Sequence, residues 1–355
     1  MWRVLLAFGF HRLLLFIIAL LTLNSNSPNS HSSGILPNFE SFSTLREQFL
    51  KRVSEGPEIE TLATLSNTSM GGVLAMTHNP FLWLGHWLSH LTGLSPVVSL
   101  ILLSNLFFLL FLRELNELLT RMITADVAAT TPILVVLWPT SYEMSLGSTL
   151  SLTCLLSTMA IRFALDDKWY VVGIAVALLF GVDPLAIGLI PLLIFIFWYF
   201  QRHFQWQQIV PKAAFFAIPS ALAFFWNRAT YAGLGSILSN SALLNLTASV
   251  SHGPKLAWTV SGSFAGQTIT AILFAGGAIA AAVSNTVVLH RAIPVYLFFA
   301  ALLFSPYGSI ASRILIAGEA LEGIALISAR PVLRILQIMF LVLGILEVRS
   351  VFGVF

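Results

Sequence analysis

The feature that most constrains this chain is a pattern between Ser95 and Phe200, where helix-length apolar runs are separated by very short polar breaks. The breaks fall at Arg113–Asp126, Trp138–Ser145, Ala164–Lys168 and Gly181–Pro184. The runs lack the strict alternation of half-buried or barrel strands, so they read as helices that are apolar all round. The remainder of the chain continues in the same way. Hydrophobic residues make up 57% of it and charged residues 9%, and the mean hydropathy is +0.88. A soluble fold cannot hide that much apolar side chain. Lipid accepts it, provided each backbone polar group is bonded within its own segment, which helices achieve. The sequence therefore predicts an all-α, polytopic transmembrane helical bundle.

Apolar spans lie at 1–23, 95–112, 127–141, 144–163, 169–182, 184–200, 211–226, 262–284, 292–306, 309–328 and 335–352, roughly eleven crossings of a lipid core. The first is read as a retained span, interrupted by Arg3 and by His11-Arg12, because Asn24–Pro28 lacks the small residues of a cleavage site. Residues 24–94 form a loop. It opens with Ser, Asn and Pro, turns charged from Glu40 to Glu60, and places Phe42, Leu45, Phe49 and Val53 at helical spacing for a surface helix. Pro80–Leu94 is too short to span and carries Trp83, Trp87, His86 and His90, residues at home in an interface. Residues 95–355 are read as one bundle. Short loops bearing Arg113, Arg121, Arg162, Lys168, Arg202 and Lys212 mark one face as cytoplasmic. Residues 24–79, Glu143, Asp183 and Arg313 then share the opposite, outer face of a bacterial inner or endoplasmic reticulum membrane.

The net charge of +3 comes from basic residues scattered among loops, a topology signal rather than a nucleic-acid surface. Two near-charge-free breaks each hold one carboxylate, Glu143 and Asp183, beside Pro139 and Pro184. An ionisable group at membrane depth costs about 2.5–3.5 kcal/mol on insertion scales, which makes a persistent one a functional candidate. At an interface the same residue can be a helix cap, and Asp183 before Pro184 has the form of an N-cap. Glu319 and Glu322 share a helix face, as do His86 and His90. The histidines have metal-ligand spacing but no local carboxylate or thiol, so a surface helix is the stronger reading and no cofactor or metal is expected. Cys154, inside an apolar run, is the sole cysteine, so there is no disulfide framework. Asn67-Thr-Ser and Asn245-Leu-Thr fit the glycosylation pattern, and no phosphate-cradling glycine loop or nucleophile elbow is found.

The order of several stretches resembles the GT-C superfamily of membrane glycosyltransferases, most of all the glycosylphosphatidylinositol mannosyltransferase II (PIG-V) type and its bacterial relatives. His78–Leu84 (HNPFLWL) is similar to the family's aromatic-proline segment, and Leu103–Phe108 (LSNLFF) to the start of a following span. Trp138–Leu146 (WPTSYEMSL) resembles a proline-led outer turn. Gly181–Ala186 (GVDPLA) stands where the family often has TRPTG, with Asp183 in place of the arginine, and Ser312–Leu315 (SRIL) resembles the entry to a late helix. The resemblance implies transfer of a sugar, with mannose the candidate, from a polyprenyl-phosphate donor to an outer-face acceptor, with membrane lipids around it. It also implies a base in the first outer loop, usually the aspartate of a WDS motif. Residues 24–79 contain no aspartate, and Phe39-Glu40-Ser41 is the nearest counterpart, which gives Glu40 the base role and Glu143, Asp183 and Arg313 substrate contacts. Two other functions stay open: a non-catalytic relative that serves a membrane-protein partner as scaffold or lipid-handling subunit, and a transporter.

Overall fold

The computed structural model describes residues 2–25, 79–122, 125–137, 141–182, 185–201, 206–226 and 330–353, with Glu47, Leu50, Lys51, Ala292 and Ile293 as isolated positions. Among the described residues all regular structure is helical: α1 (Trp2–Ser25), α2 (Pro80–Thr92), α3 (Pro96–Met122), α4 (Ala125–Leu137), a 3₁₀ turn (Ser141–Ser145), α5 (Leu150–Leu165), α6 (Trp169–Val182), α7 (Leu185–Gln201), α8 (Trp206–Trp226) and α9 (Arg330–Gly353). Two stretches, Pro96–Arg121 and Trp206–Trp226, are long and apolar enough to cross a membrane.

The helices pack in a row. α8 lies on α6, α6 on α5 and α5 on α3, and α3 leads through α4 and the 3₁₀ turn to the pair α1 and α9, with α2 and α7 flanking. The amphipathicity of α3 shows why it is central. Leu100, Leu103, Phe108, Phe111, Leu112, Leu115, Leu118 and Leu119 are buried at helical spacing, while Leu102, Leu106 and Leu110 are exposed on another side. The outward faces of α1, α8 and α9 also expose large apolar side chains, among them Phe10, Leu13, Phe215, Leu222, Ile338 and Val342. Such continuous exposed apolar rows support contact with lipid.

Between α6 and α8 the fit is close enough to demand a glycine. A Cβ on Gly173 would collide with the Phe215 carbonyl oxygen, so a small residue lets the two backbones meet. Nearby, Trp169 is buried and ties three helices together. Its ring meets Phe197 of α7 and Phe216 of α8 edge-on, at 4.7 and 5.8 Å between centroids. α2 begins where its sequence says it should: the Asn79 side chain accepts from the Phe81 N–H and Pro80 occupies the first turn. It ends at Gly93 in the left-handed conformation.

Three boundaries differ from the sequence reading. The charged stretch read as a break after residue 112 is helical through Met122, because its charges face partners rather than ending the helix. The apolar run read as a span from 144 starts its helix at Leu150; residues 141–149 are a buried turn. The helix read as starting at 211 begins at Trp206 and carries Pro211 inside it, so one backbone bond of its N-terminal part is missing. Residues 227–291, 294–329 and most of 26–78 lie outside the described residues, so the late spans and the surface helix of the loop do too.

Candidate functional site

Polar side chains collect at two places, one at each end of α3. At its C-terminal end, which the short basic loops mark, Arg162 of α5 is buried against α3. Its guanidinium pairs with Glu114 at 2.7 Å and with Glu117 at 2.5 Å, and its Cζ lies 4.2 Å from the Phe163 ring centroid. Arg113 closes on Glu117 one helical turn away, and Arg121 pairs with Asp166. The α5–α6 turn then passes through Asp167 at φ 60°, a left-handed position that aspartate tolerates better than most side chains. The Asp167 carboxylate accepts from Trp169 Nε1 at 2.8 Å, from Gln201 Nε2 at 2.7 Å and from Lys212 Nζ. One carboxylate therefore holds α6, α7 and α8 in register. Each charge named here has an opposite charge or hydrogen-bond partner, which is the signature of a structural brace.

The second place is the turn between α4 and α5. Ser141, Tyr142, Met144 and Thr149 are buried, so irregular backbone here is sunk among helices and its carbonyls need donors. Side chains from other helices supply them. Asn105 Nδ2 donates to the Ser145 carbonyl at 3.2 Å, Ser104 Oγ to the Ser148 carbonyl at 3.2 Å, and Arg12 Nη2 to the Ser141 carbonyl at 2.7 Å. Within the turn, Ser141 Oγ donates back to the Val136 carbonyl. Ser104 and Asn105 are on the third turn of α3, so the α4–α5 turn lies about 13 Å along the α3 axis from its N-terminal end. Arg12 reaches it from α1, with its Cζ 5.5 Å from the Phe8 and 5.1 Å from the Phe108 ring centroid.

A cavity of about 250 Å³ lies between this turn, α1, α3 and α9. Its polar lining is Arg12, Asn105, Tyr142 and Ser145, and its apolar wall is Leu15, Phe16, Ala19, Ile101, Leu146 and Val348. Arg12 Nε and Nη1 and Ser145 Oγ are buried with no hydrogen-bond partner. None of the described lining residues is a carboxylate. Unused donors on a cation beside a largely apolar cavity can donate to the oxygens of an anion whose remainder is apolar.

Of the residues expected from sequence to act, Glu40, Asp183 and Arg313 lie outside the described residues, as do Glu319 and Glu322. Glu143 sits in the 3₁₀ turn, but its side chain is likewise outside what is described. Sequence reasoning treated Arg12 only as an interruption in an apolar run. An arginine midway along such a run was itself the available signal. No signal in the sequence marked Asn105, Tyr142 or Ser145 as neighbours. His86 and His90 stack edge-on at 4.3 Å on α2. His86 is buried rather than on a free surface, and burial, with the neighbouring His90 second, holds its imidazole below the ordinary value of 6.5. Among the described residues no group of three or more His, Cys, Asp or Glu side chains could hold a metal ion.

Three of the stretches that carried the family resemblance meet here. Phe81, in the first, packs against Phe107 in the second at 6.3 Å. Ser104 and Asn105 of the second bond the turn that follows Trp138. Comparison of the chain with protein-family models, with curated proteins and with solved structures finds no match.

Proposed function

We propose that the chain is a multi-pass membrane protein of GT-C-like architecture, with roughly eleven spans, that moves a sugar from a polyprenyl-phosphate donor to an acceptor at the outer membrane face. Glu40 is the base in this reading, and Glu143, Asp183 and Arg313 contact the substrates. The observation that carries it is the packing of Phe81 on Phe107 and of Asn105 on the 141–149 turn, beside a cavity lined by Arg12, Asn105, Tyr142 and Ser145 that mixes a cationic group with an apolar wall. The lengths of α4 and α5 support membrane embedding of that cavity. They have 13 and 16 residues, or about 20 and 24 Å, against about 30 Å for a hydrocarbon core. A turn joining two such helices falls within the membrane, where irregular backbone survives only beside protein or a cavity.

Sugar transfer from purified protein in lipid, assayed with polyprenyl-phosphate-linked mannose and glucose donors, tests the reading. Glu40→Gln should lower turnover by about a hundredfold or more, as removal of a general base does; unchanged turnover would remove Glu40 from that role. A second reading, a non-catalytic GT-C-like scaffold or lipid-handling subunit, draws on the absence of a carboxylate from the described cavity lining. It requires no transfer with any donor and a co-purifying membrane partner.

A further inference from the structure

From the geometry around Arg12 we infer a binding site for the phosphate of a single-phosphate lipid, with Arg12 and Ser145 holding the headgroup and the cavity wall taking the first part of the chain. This rests on the membrane-embedded part of the proposed function and not on its transfer chemistry. Three observations converge on it. First, Arg12 is fixed by two aromatic rings and one backbone carbonyl, so its guanidinium is positioned before any ligand arrives. That single carbonyl uses one of five N–H donors, and Nε and Nη1 remain unpaired. Second, Ser145 Oγ, also buried and unpaired, lines the same cavity as Arg12. Third, none of the described lining residues is a carboxylate. A buried cation without a countercharge is costly, and an incoming anion relieves that cost.

The shape favours a lipid over free phosphate. Leu15, Ala19, Ile101 and Val348 give one side of the cavity an aliphatic wall, which a bare phosphate would leave uncovered and a prenyl or acyl chain would fill. The contrast with Arg162 is instructive: it is the more deeply buried of the two, but two glutamates neutralise its charge.

The experiment uses the full chain in phosphatidylcholine nanodiscs, titrated with undecaprenyl phosphate, with undecaprenol and with inorganic phosphate, and read by native mass spectrometry. Saturable binding of undecaprenyl phosphate, with the alcohol and inorganic phosphate binding weakly or not at all, is the expected result. Arg12→Gln should weaken it by about tenfold or more, the loss that follows when hydrogen bonds to a charged group are removed, and Arg12→Lys by less. Because Arg12 also supports the Ser141 carbonyl, Ala19→Phe provides a second test: it fills the cavity, keeps the arginine and should abolish binding. Equal binding of undecaprenol, inorganic phosphate binding as tight as the lipid, or undecaprenyl phosphate binding unchanged in both variants would each overturn the site. Binding without sugar transfer would leave the site standing and remove the transferase. Transfer retained at full rate in Arg12→Gln, with lipid binding unaltered, would do the reverse.

Discussion

The two ends of α3 solve the same physical problem in opposite ways. Each buries an arginine contributed by another helix, Arg162 at one end and Arg12 at the other. At the charged end the arginine is compensated by Glu114 and Glu117, and the adjoining α5–α6 turn is bolted down through Asp166 and Asp167. At the turn end the arginine is compensated by π faces and a single carbonyl, and donors are left over beside a cavity. Charge compensation by two carboxylates leaves no net positive charge for an anion to meet, although Arg162 Nε has no hydrogen-bond partner, so the first end is a brace. Partial pairing beside open space is what a binding site needs, so the second is where function is sought.

Breaking the brace should have the largest effect. Arg162→Met leaves Glu114 without its cation and Glu117 with only the exposed Arg113, and removing one partner of a buried pair costs about 3–5 kcal/mol; thermal unfolding of the protein in detergent should show a large drop, while lipid-phosphate binding per folded molecule stays unchanged. Gly173→Ala tests whether helix contact rather than charge holds that half of the bundle. Its Cβ meets the Phe215 carbonyl, an overpacking that should cost about 1–3 kcal/mol and be visible in the same melts. Asn105→Leu, at the turn end, removes the donor to the Ser145 carbonyl and should cost about 0.6–1.7 kcal/mol, the range for interhelical hydrogen bonds in membranes. Unlike the first two variants it should also impair ligand binding.

The docking of α2 gives a pH test. The folded His86 pKa is held below 6.5, so the unfolded segment binds more protons as pH falls below 6.5. Its contribution is complete above that value and declines as pH drops toward the folded pKa. The protection of α2 against hydrogen exchange, corrected for intrinsic exchange rates, should therefore fall as pH drops below about 6.5, and His86→Leu should flatten that dependence. The smallest effect is expected from Arg113→Ala. This pair is exposed, with Arg113 at 61%, and such i,i+4 pairs contribute about 0.3–0.5 kcal/mol. A loss as large as that from Arg162→Met would erase the distinction between buried and exposed members of the brace.

Helix identity in the described region was legible from sequence because apolar runs of that length have one solution in lipid and few elsewhere. The grouping of Arg113, Arg121, Arg162 and Lys212 on one end was equally legible from the alternation of loops, and the ion pairs to Asp166 and Asp167 agree with it. The α3 boundary was not. Arg113–Met122 reads as a polar break in one dimension, but its glutamates lie on a helix face that Arg162, 45 residues from Glu117, comes to meet. The break read at 138–145 was credited with Glu143, whereas the described chemistry of the turn at 141–149 lies in the donors other helices bring to it.

What the sequence alone determined is the helical class, the apolar exterior and the charged end, since these follow from composition and from spacing along one strand of chain. Only the tertiary structure decided that Arg12, Asn105 and Ser145 share a cavity. They come from α1, α3 and the 3₁₀ turn, and a site assembled from separate helices has no local pattern: each residue is ordinary in its own segment. Donors are left over on the Arg12 guanidinium because packing set two aromatic rings and one carbonyl against it.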